Sequence, residues 1–300
     1  MVDVAPGHAG RGQLRAAVWR EAVLGWRYVC GDLPSTVLPA TGMAVTASVA
    51  AGQSWISAAE AAVKAVVLFW LYVYTFCTSN QARAGAEDAV NKPYRPIPQG
   101  LASARGTLVR FGFSTVLYTV LGAVFGVLEW VLAWQAVTVL LNFVLSKRWW
   151  AKIAAMYVGT TVELAAAWQL AAPLDATAWR WIGLTVGLFV PALIIEDLRD
   201  VAGDDSVGRR RLVHVIGPWP VRIFASVLLV PLPLVYHVVL FEPSGAGAGQ
   251  LLACDALLAV LSWITVLRLL TRRSPRSDHT TYMLFTFLYT ATCSCGMALL

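Results

Sequence analysis

The stretch NQARAGAEDAVNKPYRPIPQG at residues 80–100 is polar, whereas the sequence on both sides of it is strongly apolar. About twenty residues before it are apolar enough to cross a membrane, and about forty residues after it are nearly so. The stretch itself contains two adjacent acidic residues, several basic residues and three prolines. This contrast indicates a polar loop between membrane-spanning helices, and it decides the fold class.

The composition of the whole chain is typical of a membrane protein. Of its 300 residues, 58% are hydrophobic and only 13% are charged, and the mean hydropathy is +0.65. Soluble domains carry about 25% charged residues. A spanning helix needs about 20 mostly apolar residues, and nine segments meet that requirement. They are roughly residues 33–51, 57–79, 106–128, 130–146, 149–171, 177–195, 217–240, 250–270 and 280–299. The sequence therefore predicts an all-α integral membrane protein with nine transmembrane helices.

The predicted spans form one membrane domain, residues 33–300, preceded by an N-terminal segment, residues 1–32. No cleavable signal is recognisable in that segment. Residues 16–30 mix Arg and Glu with Trp and Leu, which predicts an amphipathic helix at the cytoplasmic membrane interface. The five cysteines and four histidines show no metal-ligand spacing.

The basic residues predict how the chain is oriented in the bilayer. Of the 23 Lys and Arg residues, all but Lys64 and Arg180 lie in the N-terminal segment or nearest the loops that follow even-numbered spans. The positive-inside rule therefore places the N-terminus and these loops in the cytoplasm, and the C-terminus on the opposite side. The high isoelectric point reflects this orientation, and no nucleic-acid partner is expected.

A second polar loop, EDLRDVAGDDSVGRRRLVHVIG at residues 196–217, follows the sixth predicted span. Like the first loop, it lies after an even-numbered span, so both loops are expected on the cytoplasmic side. The two loops hold seven of the 17 acidic residues of the chain: Glu87, Asp88, Glu196, Asp197, Asp200, Asp204 and Asp205.

Acidic side chains packed this closely repel one another unless a cation neutralises them. Carboxylate and amide oxygens suit Mg²⁺, which bridges carboxylates to phosphate oxygens, and neighbouring Arg and Lys can bind the same phosphates. These loops therefore favour a diphosphate ester with an apolar tail as the ligand. The alternative is that they are only solvated loop charges.

The two loops resemble those of the UbiA-type intramembrane prenyltransferase superfamily, whose members have nine transmembrane helices and two Asp-rich motifs. The first motif usually reads N-D-x-x-D-x-x-x-D followed by R-P-[LI]-x-x-G, and here Asn80, Asp88 and RPIPQG at 95–100 match it. DLRDVAGDDSVG at 197–208 matches every fixed position of the second motif. The first loop departs at Gln81 and Ala84, where the family usually has Asp.

The variant first loop is similar to a subgroup that includes membrane terpene cyclases of the fumagillin-pathway type. This resemblance implies a central cavity and a Mg²⁺-dependent cyclase, which ionises a linear C15–C25 isoprenyl diphosphate and cyclises the resulting carbocation. A prenyltransferase that passes the prenyl group to an aromatic or other small acceptor is the main alternative. A non-enzymatic membrane protein, such as a transporter, is the third hypothesis.

The resemblance also implies which side chains form the site. The expected metal ligands are Asn80, Glu87, Asp88, Asp197, Asp200 and Asp204. The expected diphosphate-binding residues are Lys92, Arg95, Arg209 and Arg210. Asp88, Asp197 and Asp200 are also expected to be catalytic, together with Glu163. Two alternatives stay open: Arg95 as an anchor of the rigid PYRP turn, and residues 209–211 as simple positive-inside markers.

Glu163 lies well inside the fifth predicted span, where an ionisable group is costly and often functional. It could be a neutral acid, a hydrogen-bonding partner, or a base that ends a carbocation cascade. Aromatic faces could stabilise such a cation. The aromatic residues deep in predicted spans are Tyr72, Tyr74, Phe76, Trp134, Tyr157 and Trp168.

Overall fold

A computed structural model of the protein describes residues 7–146 and 148–300, and within these ranges every regular element is helical. The first half contains α1 (Gly7–Val29), α2 (Val37–Ala50), α3 (Trp55–Gln81), α4 (Gly85–Asn91), α5 (Ala104–Val124), α6 (Leu128–Val139) and α7 (Ala151–Gln169). The second half contains α8 (Ala176–Ala192), α9 (Val201–Ser206), α10 (Leu212–Ile216), α11 (Pro218–Leu229), α12 (Leu232–Tyr236), α13 (Ala248–Thr271) and α14 (Pro275–Leu299). The predicted all-α class is confirmed.

Several of these helices continue without a break into shorter helical segments. A 3₁₀ turn at Leu33–Ser35 precedes α2, and a π-helical segment at Leu140–Val144 extends α6. A 3₁₀ segment, Leu193–Arg199, extends α8, and a π-helical segment with a 3₁₀ turn extends α12 to Ser244.

Seven continuous helical segments of the described chain are long and apolar enough to cross a membrane. They are α2 with its preceding turn, α3, α5, α8 with its extension, α11 to the end of the α12 extension, α13 and α14. The predicted spans 130–146 and 149–171 correspond to the shorter apolar helix Leu128–Val144 and to α7, which is outside these seven. The protein is thus an integral membrane protein, while the count of nine spans stays a prediction.

The long helices begin at side chains that cap their first turn. The hydroxyl oxygens of Ser54, Ser103 and Ser274 accept hydrogen bonds from backbone N–H groups at the starts of α3, α5 and α14. The Asp175 carboxylate does the same for α8. Such caps satisfy N–H groups that would otherwise lack a partner, and each contributes about 1 kcal/mol.

α2 packs most extensively against α3 and α14 through small residues, as is common between membrane helices. Ala40, Ala44 and Ala47 are completely buried. A Cβ on Gly296 would overlap the side chain of Thr46, so only glycine permits this approach of α14 to α2. The Thr46 hydroxyl also donates to the Cys293 carbonyl at 2.9 Å.

Helix α1 has an exposed part and a buried end. Val18 and Trp19 are 62% and 72% exposed, whereas Tyr28 and Val29 are buried in the core shared with the other helices. The Tyr28 hydroxyl is hydrogen-bonded to the Thr107 hydroxyl of α5 at 2.7 Å. The end of the predicted N-terminal segment therefore packs into the bundle, while residues 1–6 lie outside the described part of the chain.

Pro191 near the end of α8 helps to shape the second polar loop. A proline inside a helix removes one backbone hydrogen bond and crowds the preceding turn. Immediately after it, the α-helix gives way to the tighter 3₁₀ segment, which carries Glu196 and Asp197. The short helices α9 and α10 follow and complete the loop.

Candidate active site at the mouth of the bundle

The two polar loops contact each other through the end of α4 and the start of α9. The Asn91 amide donates to the Asp200 carbonyl oxygen and accepts from the Gly203 N–H, both at 2.9 Å. A Cβ on Gly203 would overlap the Asn91 side chain, so glycine is required for this contact. Lys92 Nζ lies 3.3 Å from Asp200 Oδ2. Both loops therefore lie at the same end of the bundle.

A polar cavity lies between the loops, and most of the predicted site residues line it. Its charged and amide-bearing residues are Asp32, Asn80, Glu87, Lys92, Arg95, Asn142, Lys152, Glu196, Asp197, Asp200, Asp204, Arg209 and Arg211. Five predicted metal ligands and three predicted diphosphate-binding residues are in this set. Asp32, Asn142, Lys152, Glu196 and Arg211 were not predicted as site residues.

The acidic side chains of the polar cavity lie next to cations. Lys152 Nζ is 2.5 Å from Asp197 Oδ1 and 2.9 Å from Glu196 Oε2. Arg209 pairs with Glu87 in the same way. A diphosphate could bind the cations while a divalent cation binds the carboxylates, so both kinds of ligand have partners in one space.

Asp88 and Arg210, two predicted site residues, are not among the residues that line this cavity. Asp88 is 2% exposed and accepts a 2.8 Å hydrogen bond from Arg95. Burial raises the pKa of the Asp88 carboxyl above its ordinary value, and the positive charge of Arg95 opposes that rise. In the structure Asp88 thus holds Arg95, while Arg210 is exposed and Arg211 takes the lining position.

The carboxylate and amide oxygens that line the polar cavity are of the type that binds Mg²⁺. Asp204 is 2% exposed, and its Oδ1 atom is buried without a hydrogen-bond partner. Burial raises the pKa of Asp204 to about 6. Among the described residues, no three His, Cys, Asp or Glu side chains are arranged as a ready-made metal site. Because Mg²⁺ usually keeps several waters, one or two of these carboxylates are enough to hold it beside a phosphate.

A second cavity, which we call the aromatic chamber, adjoins the polar cavity. Asp32, Phe76, Met156 and Glu196 line both cavities. The aromatic residues of the chamber are Tyr72, Phe76, Trp134, Phe189, Tyr282, Phe285 and Tyr289. A charged group can therefore bind in the polar cavity, which forms the mouth of the bundle. An apolar chain attached to it can extend among the aromatic faces of the chamber.

The chamber aromatics form two packed groups. The rings of Tyr72 and Trp134 are stacked with centroids 4.1 Å apart. Phe189 lies 5.3 Å from Phe285 and 5.2 Å from Tyr289. Of the six aromatics considered from the sequence, Tyr72, Phe76 and Trp134 line the chamber. The other three, Tyr74, Tyr157 and Trp168, do not.

Glu163 is the one predicted catalytic residue that lies in the chamber and away from the loops. Its side chain lines the chamber and is 4% exposed, and its Oε1 atom has no hydrogen-bond partner. The Tyr289 hydroxyl lines the same chamber as a neighbouring hydrogen-bonding group of the Glu163 carboxyl. The chamber therefore offers polar atoms for hydrogen bonding or proton transfer within an otherwise aromatic wall.

Residues 37–289 match the model of the UbiA prenyltransferase family. The chain belongs to this family. Somaliensene A/B synthase from Streptomyces somaliensis is 36% identical over 275 residues, which is 91% of each chain. The diterpene cyclase eriG from Hericium erinaceus is 34% identical and covers 73% of this chain and 71% of its own. The polyprenyl transferase eriF from the same organism is 32% identical, covering 73% and 75%.

Solved structures of UbiA homologues share the fold. A homologue from Archaeoglobus fulgidus bound to DMAPP and Mg²⁺ superposes with a TM-score of 0.65 at 13% identity, covering 92% of this chain and 99% of that one. The homologue bound to GPP and Mg²⁺ gives a TM-score of 0.60. Together these matches confirm the predicted superfamily and terpene-cyclase subgroup, and they confirm that the protein is an enzyme of this UbiA family.

Gln81 and Ala84, the two residues at which this UbiA-family chain differs from the first motif, lie in different environments. The Gln81 side chain is completely buried and donates to the Tyr28 carbonyl of α1 at 2.9 Å. Ala84 is 4% exposed and lines a vestibule together with Asn80 and Glu87. The first loop therefore brings one carboxylate, that of Glu87, to the polar cavity.

Proposed function

We propose that this UbiA-family enzyme is an intramembrane terpene cyclase, which uses Mg²⁺ to ionise a linear isoprenyl diphosphate and then cyclises the carbocation. The observation that carries the proposal is the junction of the two cavities, where the charge-dense polar cavity adjoins the aromatic chamber and shares lining residues with it. Two relatives, somaliensene A/B synthase and the diterpene cyclase eriG, support it. So do the family folds bound to DMAPP or GPP with Mg²⁺.

The cations of the mouth would hold the diphosphate head. They are Lys92, Arg95, Lys152, Arg209 and Arg211. Asp88 does not line the cavity, but its ion pair with Arg95 would hold the Arg95 guanidinium in position toward the cavity. Asn80, Glu87, Asp197, Asp200 and Asp204 would hold Mg²⁺, which when bound neutralises charge on the departing diphosphate and so favours cleavage of the C–O bond.

The aromatic chamber would hold the prenyl chain and the cation that forms from it. The negative faces of Trp, Tyr and Phe rings attract a cation without reacting with it as water would. Tyr72, Trp134 and Phe189 lie on different helices, so their faces can stabilise positive charge at several positions along a folded chain.

Glu163 is proposed to end the cascade as the proton acceptor. A proton would leave a carbon next to the cationic carbon, the electrons of that C–H bond would form a double bond, and the Glu163 carboxylate would take the proton. Its position on the wall of the chamber, where the prenyl chain would lie, supports this role. The sequence alone left a neutral acid and a hydrogen-bonding partner as alternatives.

The second candidate is transfer of the prenyl group to an aromatic or other small acceptor, and the eriF relative favours it. In that case the polar atoms of Glu163, Tyr289 and Thr160 in the chamber would bind the acceptor. The two functions share the ionisation step and differ in what captures the cation. Because the chain belongs to a prenyltransferase family, the hypothesis of a non-enzymatic transporter is no longer needed.

We also propose that the chain crosses the membrane nine times, with its N-terminus and both polar loops in the cytoplasm and its C-terminus on the other side. An epitope tag at either end, probed in sealed and in permeabilised membranes, tests this topology. The N-terminal tag should be protected in sealed right-side-out vesicles, and the C-terminal tag should be accessible. Accessibility of both tags on one side would contradict an odd number of spans.

Incubation of purified protein with Mg²⁺ and C15, C20 or C25 isoprenyl diphosphate tests the proposed activity. A cyclase gives a hydrocarbon or terpene alcohol, detected by mass spectrometry, from the diphosphate alone. Products that appear only when an aromatic acceptor is added would favour the transferase. Recovery of unreacted substrate under every condition would rule out both candidates for these chain lengths.

A further inference from the structure

Asp32 lies at the junction of the cavities, although no motif marks it. It lines the polar cavity and the aromatic chamber, and it also lines a small basic pocket with Arg199 and His279. It belongs to neither polar loop, because it follows α1 and precedes the 3₁₀ turn before α2.

The carboxylate of Asp32 is not used to build the local backbone structure. Its backbone carbonyl accepts hydrogen bonds from the Ser35 and Thr36 hydroxyls, both at 2.9 Å, whereas its side chain makes no helix-capping hydrogen bond. The side-chain contacts are a hydrogen bond from Cys77 Sγ at 3.2 Å and an ion pair with Arg95 at 3.6 Å. Both are made by Oδ2, and Arg95 has a shorter partner in Asp88 at 2.8 Å.

Gln81, which replaces an acid of the usual first motif, contacts the end of α1 just before Asp32. The buried Gln81 amide donates to the carbonyl of Tyr28 at 2.9 Å, one turn before Asp32. The residue that replaces an acid in the first loop therefore anchors the end of α1. That anchor fixes the turn from which the Asp32 carboxylate reaches the cavity.

We propose that Asp32 supplies the carboxylate that the first loop lacks at positions 81 and 84, as part of the divalent-metal and diphosphate site. The cavity it shares with Asp197, Asp200 and Asp204 contains an independent indication of a cation site, because the buried Oδ1 atom of Asp204 has no hydrogen-bond partner. The inference deepens the proposed function and rests on it, because it assigns a new residue to the same site.

Binding of Mn²⁺, a spectroscopic substitute for Mg²⁺, tests this assignment without turnover. Electron paramagnetic resonance reports free Mn²⁺, and inorganic diphosphate serves as the head-group probe. D32N should weaken Mn²⁺ binding in the presence of diphosphate by at least about tenfold, which is the scale of effects seen when the surroundings of a metal are changed. D32E, which keeps a carboxylate, should retain tighter binding than D32N.

Glu21 provides the matched control. It lies on α1, pairs with Arg110 at 2.5 Å, and lines none of the three cavities around Asp32. E21Q should therefore bind Mn²⁺ and diphosphate like the unchanged protein. Size-exclusion chromatography and thermal unfolding of D32N and E21Q would show whether either variant is misfolded.

The double variant D32N/A84D separates a ligand role from a structural one. It places an acid where the family usually has one, in a vestibule that shares Asn80 and Glu87 with the polar cavity. We expect A84D to restore part of the Mn²⁺ affinity lost in D32N. Unchanged affinity in D32N, or a loss that neither D32E nor A84D relieves, would overturn the inference.

Failure of the proposed function gives a different result. If the unchanged protein bound no Mn²⁺ with or without diphosphate, the metal-dependent ionisation itself would be wrong, and the role of Asp32 would fall with it. If the unchanged protein bound both and D32N bound them equally well, only the role of Asp32 would be wrong.

Discussion

The polar cavity and the aromatic chamber adjoin each other, but they differ in how their acidic side chains are paired. In the polar cavity, carboxylates lie beside cations, as Lys152 does beside Asp197 and Glu196. In the chamber, Glu163 is buried among aromatic side chains with an unpartnered oxygen. Under the proposed function, this difference means that the mouth would exchange ionic partners, whereas the chamber would leave a cation with few groups that can react with it.

This contrast separates two steps of the proposed reaction. Mouth residues should control whether the diphosphate leaves, and chamber residues should control which product forms. Changes at the mouth are therefore expected to reduce substrate consumption. Changes in the chamber are expected to alter the product at a similar rate of consumption.

Removal of divalent metal should have the largest effect. Treatment with a chelator should abolish diphosphate release, because the clustered carboxylates of the mouth and the diphosphate would then repel one another. Release of inorganic diphosphate measures this directly, and added Mg²⁺ should restore it. Full activity after exhaustive chelation would show that the paired cations of the mouth are sufficient for ionisation.

D200N should have the next largest effect. Asp200 lines the polar cavity and pairs with Lys92, so its loss removes a candidate metal ligand and frees a cation. We expect kcat/KM to fall by about 100- to 1000-fold, the scale found when one charge-stabilising group is removed. Asp205 is the control, since it is exposed and does not line the cavity. Equal effects of D200N and D205N would contradict the geometry.

D88N should have a smaller effect, because Asp88 acts through Arg95. The variant leaves the buried Arg95 with only the longer contact to Asp32, so the guanidinium loses its short partner. We expect a loss of about 10- to 100-fold in kcat/KM, in the range for groups that orient a binding residue. A lower unfolding temperature should accompany it, because breaking a buried pair costs about 3–5 kcal/mol. Loss of activity as large as in D200N would instead indicate direct metal binding by Asp88.

E163Q should have the smallest effect on rate and a visible effect on product. Gln has nearly the same volume as Glu but does not act as a base, so ionisation at the mouth should continue. We expect diphosphate release within about threefold of the unchanged protein, a change too small to represent the loss of a group that stabilises the ionisation step. Mass spectrometry should show a changed mixture of hydrocarbon and alcohol products.

T160V is the matched control for E163Q, since Thr160 lines the same chamber without an ionisable group. Because it removes no proton acceptor, it should change the ratio of hydrocarbon to alcohol products less than E163Q does. An unchanged product mixture in E163Q would contradict the role of Glu163 as the terminating base.

Much of the site could be read from local sequence patterns. The first loop predicts Asn80, Glu87, Lys92 and Arg95 as site residues, because polar residues stand out between apolar spans. All four line the polar cavity. The second loop does the same for Asp197, Asp200, Asp204 and Arg209. These positions follow from helical spacing and from the motif, which are properties of neighbouring residues.

The structure differs from the sequence-based expectation at Arg210, where the side-chain direction depends on the backbone between α9 and α10. Arg210 was expected in the site, but Arg211 lines it instead. Gly208 has φ of 63°, residues 209–211 lie outside the helices, and Arg211 is extended just before α10 begins at Leu212. Arg209 and Arg211 line the cavity, whereas the Arg210 side chain is exposed. The three consecutive arginines give no sign of this in the sequence.

The sequence by itself determined the class of the protein, the two polar loops and most of their chemistry, because hydrophobicity and short-range spacing are carried by adjacent residues. Only the tertiary structure decided that Asp32 and Lys152 join the mouth, and that Phe189, Phe285 and Tyr289 complete the chamber. These residues come from helices far apart in the chain. Which of their faces meet depends on how the helices pack, through close contacts such as the one between Gly203 and Asn91, and no local pattern encodes that packing.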